Sequence, residues 1–268
     1  MEENYVDFER IFMNILFLGD IVARVGREAV LNNLRSLKKQ YHIDLTVANV
    51  ENTAHGKGVT KQIINQFQDA GIDIMTLGNH AFSKGQFLFE IDYYDNVLRP
   101  ANMEPLHYGN VVVDRIVNGI RVAVVNLLGE VFMNGCTESP VQAMKKLLSK
   151  IKADVILVDL HGEATSEKEM FMYYFADRLT AVIGTHTHVQ TADERIYQGC
   201  AYITDAGMCG SFESILGRDI QEVINRTVYH QKTRYTPSSE PAIICGCVIH
   251  IDEDTKRADK IERIQIRP

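Results

Sequence analysis

Five short runs of almost unbroken apolar residues constrain this chain most: 14–19, 44–50, 72–77, 155–160 and 179–184. Each is too short for a buried helix, and none shows the in–out alternation of a strand with one wet face. They read as strands covered on both sides, as in a parallel sheet flanked by helices. The intervening segments carry helical spacing: Val30, Leu31, Leu34 and Leu37, then Ile63, Ile64 and Phe67 behind a capping Thr60, then Val141, Met144, Leu147, Leu148 and Ile151. Further helices are expected near 84–94 and over 165–178. Asn118-Gly119 between the apolar runs 110–113 and 120–127 predicts a hairpin, and strands return at 242–251 and 261–267. The pattern implies an α/β layered fold, two sheets packed together with helices outside. No linker rich in Pro, Gly or Ser interrupts it. Residues 13–268 are expected to form one domain, with 1–12 as an N-terminal extension.

Charge and cysteine usage narrow the function. Lys and Arg number 28 against 35 Asp and Glu, a net charge of −7, which argues against stable binding to duplex nucleic acid. It leaves room for a small phosphorylated substrate where a bound metal supplies positive charge. Five scattered cysteines (136, 200, 209, 245, 247) without a C-x-x-C point to a reducing cytoplasm and not to a disulfide scaffold. Cys245 and Cys247 share one face of a strand and read as small buried hydrophobes. No stretch is long and apolar enough to suggest a membrane helix, and the acidic start lacks the form of a signal peptide.

The strand ends carry the chemistry. In open α/β sheets, ligands sit beyond the carboxyl ends of the strands. Here those ends hold Asp20, Glu51-Asn52, Asn79-His80, His161, and His186-Thr-His188. All are oxygen or nitrogen donors or acid–base groups, and none is a thiolate, a set suited to Fe, Mn or Zn. Singly, each has an ordinary explanation as a cap, a turn residue or a structural histidine. Coincidence at five successive strand ends is a different matter.

In order, these residues resemble the blocks of the calcineurin-like metallophosphoesterase superfamily: D-x-H, G-D, G-N-H, H and G-H-x-H. Val22 replaces the first histidine, Glu51-Asn52 replaces the aspartate, and Thr185 separates Gly184 from His186. Those departures resemble the branch of bacterial YmdB-type phosphodiesterases, as do the segments 205–210 and 214–217. The resemblance implies a four-layer β-sandwich flanked by helices and two metal ions, Fe or Mn, with Zn possible. It implies Asp20, Glu51, Asn52 and His188 on one ion and Glu51, Asn79, His161 and His186 on the other, with Asn52 compensating for the imidazole missing at Val22. It further implies hydrolysis of small phosphate esters, 2′,3′-cyclic nucleotides among them, by a hydroxide held between the ions. His80 would then stabilise or protonate the leaving oxygen. Its alternative role is to orient a ligand.

The Gly-rich loop His55-Gly-Lys57-Gly lacks the spacing of a P-loop; His55 and Lys57 are candidate substrate contacts, against a plain flexible loop. Phe132 and Met133, after another strand end, are read as loop packing in preference to a base-stacking rim. Three alternatives stand beside the diesterase: a phosphomonoesterase, a non-catalytic metal-containing regulator that binds nucleotides, and a Rossmann protein. The last is poor, because the first βα turn has no G-x-G-x-x-G. A homo-oligomer is compatible with all of these.

Overall fold

The computed structural model describes residues 12–268. The expected extension lies outside the described residues except for Phe12, which opens the first strand. Along the chain run β1 (Phe12–Leu18), β2 (Asp20–Ile21), α1 (Ala23–Gln40), β3 (Leu45–Asn49), α2 (Lys61–Ala70), β4 (Ile74–Thr76) and β5 (Val97–Leu98). Then come β6 (Val112–Val117), β7 (Ile120–Leu128), α3 (Pro140–Leu148), β8 (Val155–His161), α4 (Thr165–Phe175) and β9 (Ala181–Thr185). The chain closes with β10 (Arg195–Tyr197), β11 (Cys200–Ile203), β12 (Met208–Ser211), α5 (Ile220–Thr227), β13 (Ala242–Asp252) and β14 (Ala258–Ile266).

Two sheets result. The first has the order β2-β12-β13-β1-β3-β4-β5, with β14 also paired to β13; the second has the order β10-β11-β9-β8-β7-β6. Strands β1, β3, β4 and β5 are parallel, as are β7, β8, β9 and β11. All eight therefore point their carboxyl ends the same way within their sheet. β13 enters antiparallel beside β1.

The unbroken apolar runs now have their explanation. In β1, Ile15 and Phe17 face the second sheet, where they meet Val122, Val124, Leu157 and Ile183. Their neighbours Leu16 and Leu18 face outward and pack with Val30, Leu34, Leu37, Ile64 and Phe67. The second sheet repeats this, with Val158 and Leu160 turned out toward Met144, Phe171 and Phe175. Both faces of each sheet are buried, so no polar alternation survives. Helix, sheet, sheet, helix is the four-layer metallophosphoesterase-type sandwich.

Local expectations fare unevenly. Asn118 and Gly119 take φ of 50° and 81°, the paired positive values of a tight hairpin turn. Thr60 stands at the N-cap of α2 but makes no side-chain capping bond. The helix expected near 84–94 is instead two short 3₁₀ turns, Gly85–Phe89 and Ile91–Tyr93. Phe87 and Ile91 still bury their side chains. Gly85 weakens helix nucleation there, and the segment runs directly between the strand ends of the site and β5. Cys245 and Cys247 are buried, unpaired and raised in pKa by burial, as small hydrophobes should be. No helix among the described residues is long and apolar enough to cross a membrane.

Candidate metal centre

Each sheet contributes to one cluster between their carboxyl ends. From the first come Asp20 just after β1, Glu51 and Asn52 just after β3, and Asn79 just after β4. From the second come His161, the last residue of β8, and His186 and His188 just after β9. All seven expected ligands thus meet. Glu51 Oε1, Asn79 Oδ1 and His186 Nδ1 lie 3.0, 3.0 and 3.1 Å from His161 Nε2. Asn52 Nδ2 lies 3.3 Å from Asp20 Oδ1, 3.1 Å from His188 Nε2 and 3.3 Å from Glu51 Oε1. The contacts form two groups that share Glu51. Gly78 permits this closeness: a Cβ there would stand 2.4 Å from the His161 ring and 2.6 Å from Glu51 Oε2.

The donor set fits a pair of cations. Glu51, His161 and His186 bring one ligand atom each to within 4.8 Å of one another. Every imidazole has its outer nitrogen occupied, which fixes the tautomer and frees the inner one. His161 Nδ1 meets Thr185 Oγ1 at 2.9 Å, and that hydroxyl donates to buried Asp159 at 2.6 Å. His186 Nε2 donates to Glu163 Oε2 at 3.1 Å. His188 Nδ1 donates to the Leu216 carbonyl at 3.2 Å. The Asn52 amide, turned end for end, would offer its oxygen where Nδ2 now stands.

Backbone geometry around His186 is unusual. His186 and His188 have φ of 101° and 65°, values that cost energy for residues with a Cβ. A fully buried ion pair holds the segment. Lys168 Nζ, from α4, donates to the Thr185 carbonyl at 2.9 Å and to Asp205 Oδ2 at 3.0 Å. Asp205 Oδ2 in turn accepts the Thr187 N–H at 3.0 Å. The Asp20 carboxylate accepts the His186 N–H at 3.0 Å. Both neighbours of His186, and its own amide, are therefore pinned.

Crowding sets the protonation. Burial alone would push Glu51 up, but His161 beside it and the His80 N–H, 2.8 Å from Oε2, bring it down to about 2. Burial opposes a charge on His161, yet Glu51, Asp20 and Asp159 outweigh it and push its pKa up to about 9. His186 is pushed down to about 3 by burial and by His161. Burial also lowers His80 and raises Asp20. A cation held by these donors would compete with a proton for His161 Nε2.

A cleft of about 250 Å³ opens onto the cluster, lined by Glu51, Asn52, His80, His186 and His188 together with Lys57, Glu163, Arg218 and Tyr235. Of the two expected substrate contacts, Lys57 lines it; His55 is exposed and lies outside its lining. Phe132 is 86% exposed and also lies outside it, while Met133 packs against the first outer core. Larger hollows, of about 630, 780, 360 and 390 Å³, gather no histidines. The sequence reading missed Glu163, Lys168, Asp205, Leu216, Arg218 and Tyr235 as individual site residues. Asp205 and Leu216 do lie in the two segments, 205–210 and 214–217, that carried part of the resemblance.

Known proteins resemble this chain to differing depths. A 2′,3′-cyclic-nucleotide 2′-phosphodiesterase of Bacillus subtilis is 41% identical over 256 residues, covering 95% of this chain and 97% of its own. The crystal structure of a phosphatase from Mycoplasma pneumoniae superposes with a TM-score of 0.91 at 34% identity, over 96% of this chain and 94% of that one. An NAD nucleotidase from Haemophilus influenzae shares the fold alone, at 12% identity and a TM-score of 0.56, over 96% of this chain and 56% of its own. The model of the YmdB-like protein family matches residues 16–264, and the chain belongs to that family.

Proposed function

We propose that the protein is a dinuclear metallophosphodiesterase that hydrolyses small cyclic nucleotides, 2′,3′-cyclic ones foremost. One observation carries the reading: seven donor side chains from both sheets meet in two groups that share Glu51. Asp20, Asn52 and His188 with Glu51 would hold one ion, and Asn79, His161 and His186 with Glu51 the other. Bound there, two cations supply Lewis acidity, drawing charge from the phosphate oxygens and acidifying a water. Iron and manganese suit these donors, as does zinc.

The chain's own residues do the rest. The Glu51 carboxylate neutralises both positions at once, and its low pKa keeps it ionised. His80 lines the cleft, with Ser83 Oγ 3.3 Å from its Nδ1, so Nε2 is free to face substrate. There it stabilises or protonates the oxygen that leaves phosphorus. For a 2′,3′-cyclic ester, breaking the bond to O2′ yields a 2′-hydroxyl and a 3′-phosphate. The cleft, about 250 Å³, suits a mononucleotide better than a polymer. Five free cysteines support a cytoplasmic setting.

Elemental analysis of the purified protein, paired with a panel of phosphate esters, tests the reading. We expect bound metal and faster turnover of a 2′,3′-cyclic nucleotide than of a generic monoester. Turnover of the monoester alone would make it a phosphomonoesterase, and nucleotide binding without turnover would make it a regulator. His80→Ala should keep its metal and lose about 10²–10⁴-fold in rate.

A further inference from the structure

We propose that Arg218 is an anion-binding residue of the cleft, taking a non-bridging phosphate oxygen of the substrate. The proposal rests on the reading of the cleft as a phosphoester site and deepens it.

Three observations carry it. Arg218 lines the cleft beside Glu51, Asn52 and the histidines. It lies two residues beyond Leu216, whose carbonyl accepts from His188 Nδ1, so its position is tied to the cluster. Its guanidinium is also held in a fixed plane. Nε donates to Glu222 Oε2 at 3.1 Å, and Nη2 donates to both Glu222 oxygens at 2.8 and 2.7 Å. Glu222 is itself buried and accepts the Thr233 hydroxyl at 2.6 Å. That side-on pairing occupies one edge of the fork and leaves Nη1 without a hydrogen-bond partner among the described residues.

Tyr235 completes the brace. Its ring centroid is 4.8 Å from Arg218 Cζ and 5.5 Å from Lys57 Nζ, so one aromatic ring spaces the two cations. The Lys57 loop packs directly on it: at Gly56, with φ +81°, a Cβ would come 2.3 Å from the Tyr235 hydroxyl. Lys57 and Arg218 are the two permanent cations among the lining residues of a cleft that also holds the carboxylates Glu51 and Glu163. A chain of net charge −7 draws an anion to this cleft only where cations are concentrated. A planar guanidinium with a free edge suits phosphate oxygens better than an ammonium would.

The test compares wild type, Arg218→Met, Arg218→Lys and Glu222→Gln, all loaded with Mn²⁺. Calorimetry with inorganic phosphate needs no turnover. Arg218→Met should weaken phosphate binding by about 10–100-fold, with metal content unchanged. On a cyclic nucleotide it should raise KM in proportion while kcat stays nearly constant. Arg218→Lys should fall between. Phosphate affinity unchanged in a folded, metal-replete Arg218→Met overturns the proposal. Should Arg218→Met lose its metal, Glu222→Gln decides: it leaves the Arg218 charge uncompensated and its plane unfixed, so phosphate binding changed in either direction supports the role and unchanged binding overturns it. A wild type that binds phosphate through Arg218 yet hydrolyses no diester would sink the diesterase reading and leave this one standing.

Discussion

Two histidine sites, one half-buried and one fully buried, lie at opposite ends of β1, and they are built on different rules. At the amino end, His250 makes one bond per nitrogen, Nδ1 to Asn14 Oδ1 at 2.7 Å and Nε2 to Glu262 Oε1 at 2.9 Å. Its side chain is 20% exposed. At the carboxyl end, His161 is fully buried, and three acceptor-bearing groups crowd its Nε2 within 3.1 Å. One ring N–H can serve one good acceptor. The His250 pattern is hydrogen bonding brought to completion. The His161 pattern gathers more lone pairs than protons can satisfy, which is the signature of a cation site.

Glu51→Gln should separate the two ends most sharply. Removing the shared charge is expected to abolish metal binding at both positions, and with it activity, while the His250 end stays intact. Metal analysis and circular dichroism read this together; a variant that keeps both ions would break the contrast. Next is Lys168→Met, which leaves Asp205 buried and unpaired. Losing one partner of a buried pair costs about 3–5 kcal/mol, and release of the His186 segment should weaken metal binding by about 10–100-fold. Arginine at 168 should recover part of the metal affinity.

The pH response sharpens the comparison. In the metal-free protein, the raised pKa of His161 means its ion pair with Glu51 stabilises the fold fully below pH 6.5 and is lost as pH rises through about 9. Cation binding requires the neutral ring, so metal affinity should move oppositely, weakening about tenfold per pH unit below 9. Mn²⁺ titrations across that range check the sign; a flat profile would mean that His161 does not exchange a proton for the ion. The smallest effect belongs to His250→Ala. It should cost about 1 kcal/mol in denaturant unfolding and leave metal content and turnover alone.

How legible was this in the sequence? Residues that follow an apolar run are easy to place, because the run declares a strand and the strand's end declares a sheet edge. Asp20, Glu51, Asn79, His161 and His186 were readable for that reason, and so was the four-layer packing. Lys168 was not: a lysine within a helical segment looks solvated, and only the closed structure shows it fully buried against Asp205. Arg218 and Tyr235 lie in irregular segments on either side of α5, brought to the cleft by bridges such as Arg218 with Pro237. His55 and Lys57 diverge because φ of 57° and 81° at His55 and Gly56 turn the chain between them, a turn that the sequence does not spell out.

The strand order has a consequence for folding. β1 has β13 as one of its two partners, although every strand from β2 to β12 lies between them along the chain. Pairing between segments so distant in sequence slows folding and favours a late, concerted closure of the first sheet. Asp20, Glu51 and Asn79 grow from that sheet, so a cation would find its donors gathered only once β13 has closed beside β1.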